Sequence, residues 1–515
     1  MLLRRRPRRG SGGAAPVLVA GAALAGLVML TPLIYLAVRS VERGPAYAAD
    51  VLTRPRTGFL FWNTVVLTGA ATAVCAVVGT LAAWLVVRTD LPGRRLWGIL
   101  FALPLAVPSY VAGFGWISRY PGLAGFAGTL LVLSSVSFPY VFLTVSAALS
   151  RGDAGTEEAA RSLGLGPLRV LLTVTLRRVW PAVLAGALLV ALSVISDFGV
   201  PSLMRYETFT LGIFTRYRST FDPTPAAILG VALVALAAVV LVAEARARGR
   251  SAARVGRGAG RRAGPTPLGR WTPAGLVIVL AVVGVSLGVP AHSLASWTIA
   301  GASAGVDWPH LAATTLDTFR VALLGAVCTL VLAIPVGVLA ARHRGRLVRA
   351  LENVTYLGFA LPGVTVGLAL VYLGIRVLPD LYQRTPMLIA GYAVLFLPLA
   401  VGAVRTGVAD APVQLEEASR SLGRGRLTTL ARVTVPLAAP GIAAGGALVF
   451  LSVARELPAT LMLRPTGTET LAMAIWTRTG ASQFAAAAPY AVVLVLLAAV
   501  PTLVLDRVLR RRGGD

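Results

Sequence analysis

Long apolar runs alternate with short polar segments that carry arginine along almost the whole chain. A helix needs roughly 20 apolar residues to cross the hydrocarbon core of a bilayer. Runs of that length lie near 16–38, 62–87, 96–117, 123–149, 181–204, 225–244, 273–290, 318–341, 353–375, 386–408, 440–463 and 485–506. They predict an all-α membrane protein of about twelve transmembrane helices. The first run follows the cluster Arg4 to Arg9, as a signal peptide would. It is longer than the usual apolar region of about 7–15 residues, and no small-residue cleavage site follows, so it reads as the first span.

Composition agrees, since 56% of the 515 residues are hydrophobic and only 13% are charged, too little polar surface for a soluble globule of this size. A net charge of +27 on a soluble chain would suggest nucleic acid. Here the basic residues sit in short clusters between spans, without interleaved aromatics. The expected partner is therefore membrane lipid, and no nucleic acid. With both termini cytoplasmic, the inside segments are Arg4 to Arg9, Arg88 to Arg95, Arg151 to Arg178, Arg246 to Arg270, Arg342 to Arg349, Arg405 to Arg432 and Arg507 to Arg512. They hold most of the 48 basic residues, as the positive-inside rule requires. The expected location is the plasma (inner) membrane of a prokaryote.

The two halves are repeats. Asn63-Thr64 matches Asp317-Thr318, Arg88 matches Arg342, Pro108 matches Pro362 and Gly113 matches Gly367, all 254 positions apart. From the fourth span onward Pro139 matches Pro398, Gly164 matches Gly423, Pro181 matches Pro440 and Arg205 matches Arg464, 259 positions apart. A constant register broken once, in a loop, indicates duplication. The expected organisation is a basic cytoplasmic N-terminus (1–15), a first six-span domain (16–245), an Arg/Gly-rich cytoplasmic linker (246–271), a second six-span domain (272–506) and a basic cytoplasmic C-terminus (507–515). An even number of spans per half gives both repeats the same orientation.

Between the fourth and fifth spans of each half lies a segment too polar to be membrane, at 150–180 and 409–439. The first contains Thr156-Glu157-Glu158-Ala159-Ala160-Arg161-Ser162-Leu163-Gly164, and the second Leu415-Glu416-Glu417-Ala418-Ser419-Arg420-Ser421-Leu422-Gly423. Each reads as a short surface helix, with acids at the positive end of its dipole, Thr156 or Pro412 to start it and glycine to stop it. The small residues Ala159, Ala160, Ala418 and Ser419 leave a low face that another backbone could approach.

These segments resemble the EAA loops of binding-protein-dependent ABC importer permeases. The second copy fits the family's spacing with Glu417, Ala418, Gly423, Val433, Val435 and Pro436, Ser419 replacing an Ala. The first fits with Glu158, Ala159, Ala160, Gly164, Val174 and Leu176, with Arg177 where the pattern has Pro. The resemblance implies two tandem six-helix type I (MetI-like) permease domains. It also implies two copies of an ABC ATPase subunit, docked on Glu157, Glu158, Ala159, Ala160 and Gly164 and on Glu416, Glu417, Ala418, Ser419 and Gly423. An extracytoplasmic substrate-binding protein is the third expected partner. The run Glu456 to Pro465 followed by Thr470-Leu471-Ala472, with Asp197 to Pro201 and Thr208 to Leu211 in the first half, is similar to the ferric-iron branch of that family. Phosphonate, thiamine and polyamine importers share the architecture.

All 48 basic residues are arginine, so the chain has no lysine for a phosphate-cradling loop. ATP and Mg are accordingly expected on the partner ATPase, with no cofactor, catalytic residue or metal site on this chain. Cys75 and Cys328 sit in apolar runs, and His292, His310 and His343 are scattered. A proton- or sodium-coupled transporter is the competing class; it would need acidic or His relays and no docking helices. Asp197 and Glu456 are ionisable residues expected inside the fifth and eleventh spans, at equivalent positions. They read either as an acidic lining of the transport path or as members of structural ion pairs, with Arg205 near Asp197 and Arg455 and Arg464 near Glu456.

Overall fold

The structure is a computed structural model that describes residues 16–150, 155–219, 222, 224–254, 266–343 and 345–512. The N-terminal cluster, the middle of the linker and the last three residues lie outside the described residues. Among the described residues, nine helices are single stretches long and apolar enough to span, from Pro16–Val41 to Leu430–Ala454. Two further spans are bent pairs: Arg94–Ala106 with Ser109–Arg119 at 94°, and Arg346–Ala360 with Gly363–Arg376 at 107°. The last helix, Phe484–Arg512, opens with a shorter apolar stretch, Phe484–Ala498.

The bends fall at Pro108 and Pro362, which occupy the same position of the repeat. Each has extended backbone, with φ of −58° and −61°, and starts a new helix behind it. Proline lacks the N–H that would continue the preceding helix, and its ring clashes with that helix's carbonyl. Pro139 and Pro398, also a repeat pair, lie inside unbroken helices, Phe126–Ser150 and Thr385–Asp410.

The fifth and eleventh spans start and stop earlier than hydropathy suggests, at Thr173–Ser196 and Leu430–Ala454. Arginines in the first turns depress the local hydropathy although the backbone is already helical. Each opens through a π-helical turn, Leu171–Thr175 and Leu430–Thr434, at equivalent positions. The substitution of Arg177 for the family's proline leaves this geometry unchanged. Beyond the spans lie the short helices Gly199–Leu203 and Pro458–Leu463.

Contacts divide the chain into two compact units. One contains residues up to Val38, Thr315–Glu469 and the chain from Ala499; the other contains Arg39–Thr314 and Thr470–Ala498. The units are therefore not coextensive with the repeated halves, because the opening span of each half packs among the later spans of the other. In the first unit, a Cβ on Gly21 would sit 2.8 Å from Pro335, and the Tyr35 hydroxyl donates to the Tyr372 carbonyl at 3.1 Å. In the second, Gly115 lets the backbone at Pro290 approach so closely that a Cβ would lie 2.6 Å from its Cα. Val279 of the seventh span joins a buried cluster with Phe101, Leu133, Phe138 and Phe142. Trp476, from the returning segment, packs on Phe198 and Phe214 and donates to the Ser202 hydroxyl at 2.9 Å.

Candidate functional site: paired surface helices and buried carboxylates

Both polar segments fold as the surface helices expected, Gly155–Ser162 and Val413–Ser421. Each ends at its glycine in the left-handed region, φ 83° at Gly164 and 80° at Gly423. The terminating hydrogen bonds match as well: Leu165 N–H donates to Ala160 O at 3.2 Å, and Arg424 N–H to Ser419 O at 3.3 Å. This six-to-one bond around a left-handed residue is a Schellman stop. Open space surrounds both glycines, so only backbone torsion favours glycine there.

The inner face of the second helix is tied down by side chains. Glu416 is 5% exposed and accepts from Arg342 Nε at 3.0 Å and from the Thr434 hydroxyl at 3.0 Å. Arg342 Nη2 lies 2.7 Å from the same carboxylate oxygen and donates to Ala411 O at 2.9 Å. Ser419 and Thr429 share a buried hydrogen bond of 3.1 Å. At the equivalent positions of the first half, Ala160 and Val170 are both buried, an apolar pair in place of the hydroxyl pair. Glu417 and Ala418 are exposed.

The outer end of each helix carries a leucine in solvent, Leu163 at 82% and Leu422 at 79% exposure. A large apolar side chain is thus held far out twice, at equivalent positions of the repeat. Sequence reading passed over these leucines, although both stand immediately before the stop glycine.

Asp197 and Glu456 do not lie inside the fifth and eleventh spans; both fall in the breaks after them, where the helices stop at Ser196 and Ala454. Asp197 Oδ1 accepts from Val200 N–H at 2.9 Å and Glu456 Oε1 from Ala459 N–H at 3.1 Å. Each half-buried carboxylate thus starts the short helix that follows. Each also meets the elbow of a bent span. Asp197 neighbours Ser109, directly after Pro108; the Ser109 hydroxyl lies 3.5 Å from a Cβ built on Gly199. Glu456 reaches over Gly363, directly after Pro362, so closely that a Cβ there would collide with its Oε1. The longer acid faces the residue without a side chain, and the shorter acid faces serine. Among the described residues no group of three or more His, Cys, Asp and Glu side chains converges.

Duplicated spans and paired surface helices at matching positions are the features of a two-domain permease of a binding-protein-dependent importer. The chain belongs to the family described as binding-protein-dependent transport system inner membrane component, which matches twice, over 75–247 and 333–513. It is 34% identical over 490 residues to a protein of Haemophilus influenzae named Fe(3+)-transport system permease protein FbpB 2, covering 94% of this chain and 96% of that one. A probable ABC transporter permease protein, y4fN of Sinorhizobium fredii, is 27% identical with 80% of each chain covered. The sulfate transport system permease protein CysT of Salmonella typhimurium is 29% identical over 41% of this chain and 83% of its own length. This chain is thus a multi-pass inner-membrane transport permease.

Proposed function

We propose that this permease passes ferric iron, delivered by an extracytoplasmic binding protein, and is driven by two copies of an ABC ATPase subunit seated on Gly155–Ser162 and Val413–Ser421. ATP and Mg belong to those subunits, and both termini of this chain are cytoplasmic. The observation that carries the substrate is similarity along almost the full length to a ferric-iron permease, at 34% identity. Similarity to sulfate permeases extends over 41% of the chain. The two docking helices support the ATPase partners through their matched Schellman stops and exposed leucines. The test is uptake by cells carrying the complete transporter, with radiolabelled ferric iron and sulfate supplied in turn. Iron uptake that vanishes when this chain is deleted supports the reading, and sulfate uptake alone overturns it. Reporter fusions at Gly249 and Gly514 test the orientation; activity of an outside-only reporter at either place is incompatible with it.

Asp197 and Glu456 are proposed to act on the transport path as well as to start their short helices. Their matching placement at the two elbows supports this, because hinge positions next to half-buried acids suit gating of a cation. Glu456→Gln keeps size and one acceptor and removes the charge. Uptake per folded permease is expected to fall about tenfold. A loss of folded protein that fully accounts for the loss of uptake assigns the residue to structure.

A further inference from the structure

The two adjacent glutamates of the second docking helix have opposite surroundings. Glu417 is exposed. Glu416 is buried, and its carboxylate joins three elements: the last residue of the Trp308–Arg342 span, the docking helix, and the π-helical turn that opens the eleventh span. Arg342 approaches Glu416 Oε1 with both Nε and Nη2, and the same Nη2 is also bonded to the Ala411 carbonyl just ahead of the helix. Arg420, one turn along the docking helix, stands 3.7 Å from Oε2.

We propose that the Arg342–Glu416 pair is a pin that converts movement of the docking helix into movement of the eighth and eleventh spans, and that Glu416 is a positioning residue that never touches the ATPase. This inference rests on the reading that Val413–Ser421 is an ATPase-docking helix. An apolar contact would hold the helix down equally well, since a buried ion pair often adds little stability over a well-packed apolar replacement. What the guanidinium fork adds is direction: donors in fixed geometry on one carboxylate resist sliding and rotation of the helix against the span end. The hydroxyl of Thr434 ties the same oxygen to a π-helical turn, an element that leaves a helix locally adjustable. A push on the docking helix therefore reaches two spans through one carboxylate. The duplication sets Arg88, Glu157 and Thr175 at the corresponding positions of the first half, with Arg88 and Thr175 buried.

The test compares Glu416→Gln, Glu417→Gln, Arg342→Lys and the exchanged pair R342E/E416R in the complete transporter. Each is assayed for the ATPase subunit retained through purification and for uptake per assembled complex. Glu416→Gln and Arg342→Lys are expected to retain the ATPase within about twofold of wild type while uptake falls about tenfold. Glu417→Gln is expected to lose ATPase and uptake together, and R342E/E416R to recover part of the uptake. Parallel loss of ATPase and uptake in Glu416→Gln overturns the pin, because it makes Glu416 a docking or purely structural residue. If Glu416→Gln does not accumulate, Arg342→Lys, which keeps the charge and loses the fork, decides the matter: normal uptake overturns the proposal. Absence of any ATPase on the purified wild-type chain defeats the docking reading itself and takes the pin with it.

Discussion

Gly423 and Gly164 show what a single torsion contributes. Because nothing lies within 4 Å of a Cβ built on either, a substitution there meets no steric obstacle and pays only for its φ of about 80°. Valine, stiff at its β-carbon, is expected to cost about 1 kcal/mol or more, whereas asparagine tolerates the left-handed region. Gly423→Val should therefore weaken retention of the ATPase subunit while Gly423→Asn keeps most of it, with insertion in the membrane unchanged for both. Equal retention by the two variants, measured by co-purification, would show that the stop does not order the docking surface. Gly363 presents the opposite case, since its missing side chain is occupied by Glu456. Gly363→Ala should lower the thermal stability of the detergent-solubilised permease by about 1–3 kcal/mol, the usual cost of overpacking. Shortening the acid should restore it, so the pair G363S/E456D, which copies Ser109 and Asp197, is expected to melt near wild type. A double variant no better than Gly363→Ala alone would mean that the elbow and the acid are not matched in size.

The two surface helices proposed to dock the ATPase were legible as elements because their information is local: acids at one end, glycine at the other, and small residues between them. Their exposed leucines were present in the same motif, but hydropathy treats Leu422 like any buried leucine and only the position of the stop turns it outward. Replacing Leu163 and Leu422 together by serine is expected to leave the folded permease intact and to reduce ATPase retention, each leucine being worth about 1.5–3 kcal/mol when fully buried by a partner. Undiminished retention by the double variant removes these side chains from the contact. The placement of Asp197 and Glu456 was not legible to the same degree. Apolar residues continue through Phe198 to Leu203 and through Leu457 to Leu463, so hydropathy runs on where the helices stop at Ser196 and Ala454. Likewise Pro108 and Pro362 end a helix whereas Pro139 and Pro398 do not; Pro398 lies against Gly358, which leaves room for its ring.

For the whole molecule, the repeat register revealed the duplication, but no hydropathy profile states which span packs beside which. The opening spans are exchanged between the repeated halves through close glycine contacts such as Gly21 with Pro335 and Gly115 with Pro290, each pair lying within one unit. Contacts inside each unit therefore join residues from both sides of the linker. Two fragments, 1–254 and 266–515, made together in one cell should co-purify from detergent, and fragments that separate completely would contradict the exchange. The exchange also sets an order of events during synthesis. When the ribosome has finished the first six spans, the first of them still lacks its neighbours Pro335, Val354 and Tyr372, which have not yet been made. That span must wait in lipid with its glycine face uncovered while roughly half of the chain is still to come, and the first half must meanwhile hold open the place that the seventh span will take. Neither half reaches its final packing alone, so maturation of this permease is a single late event and not two successive ones.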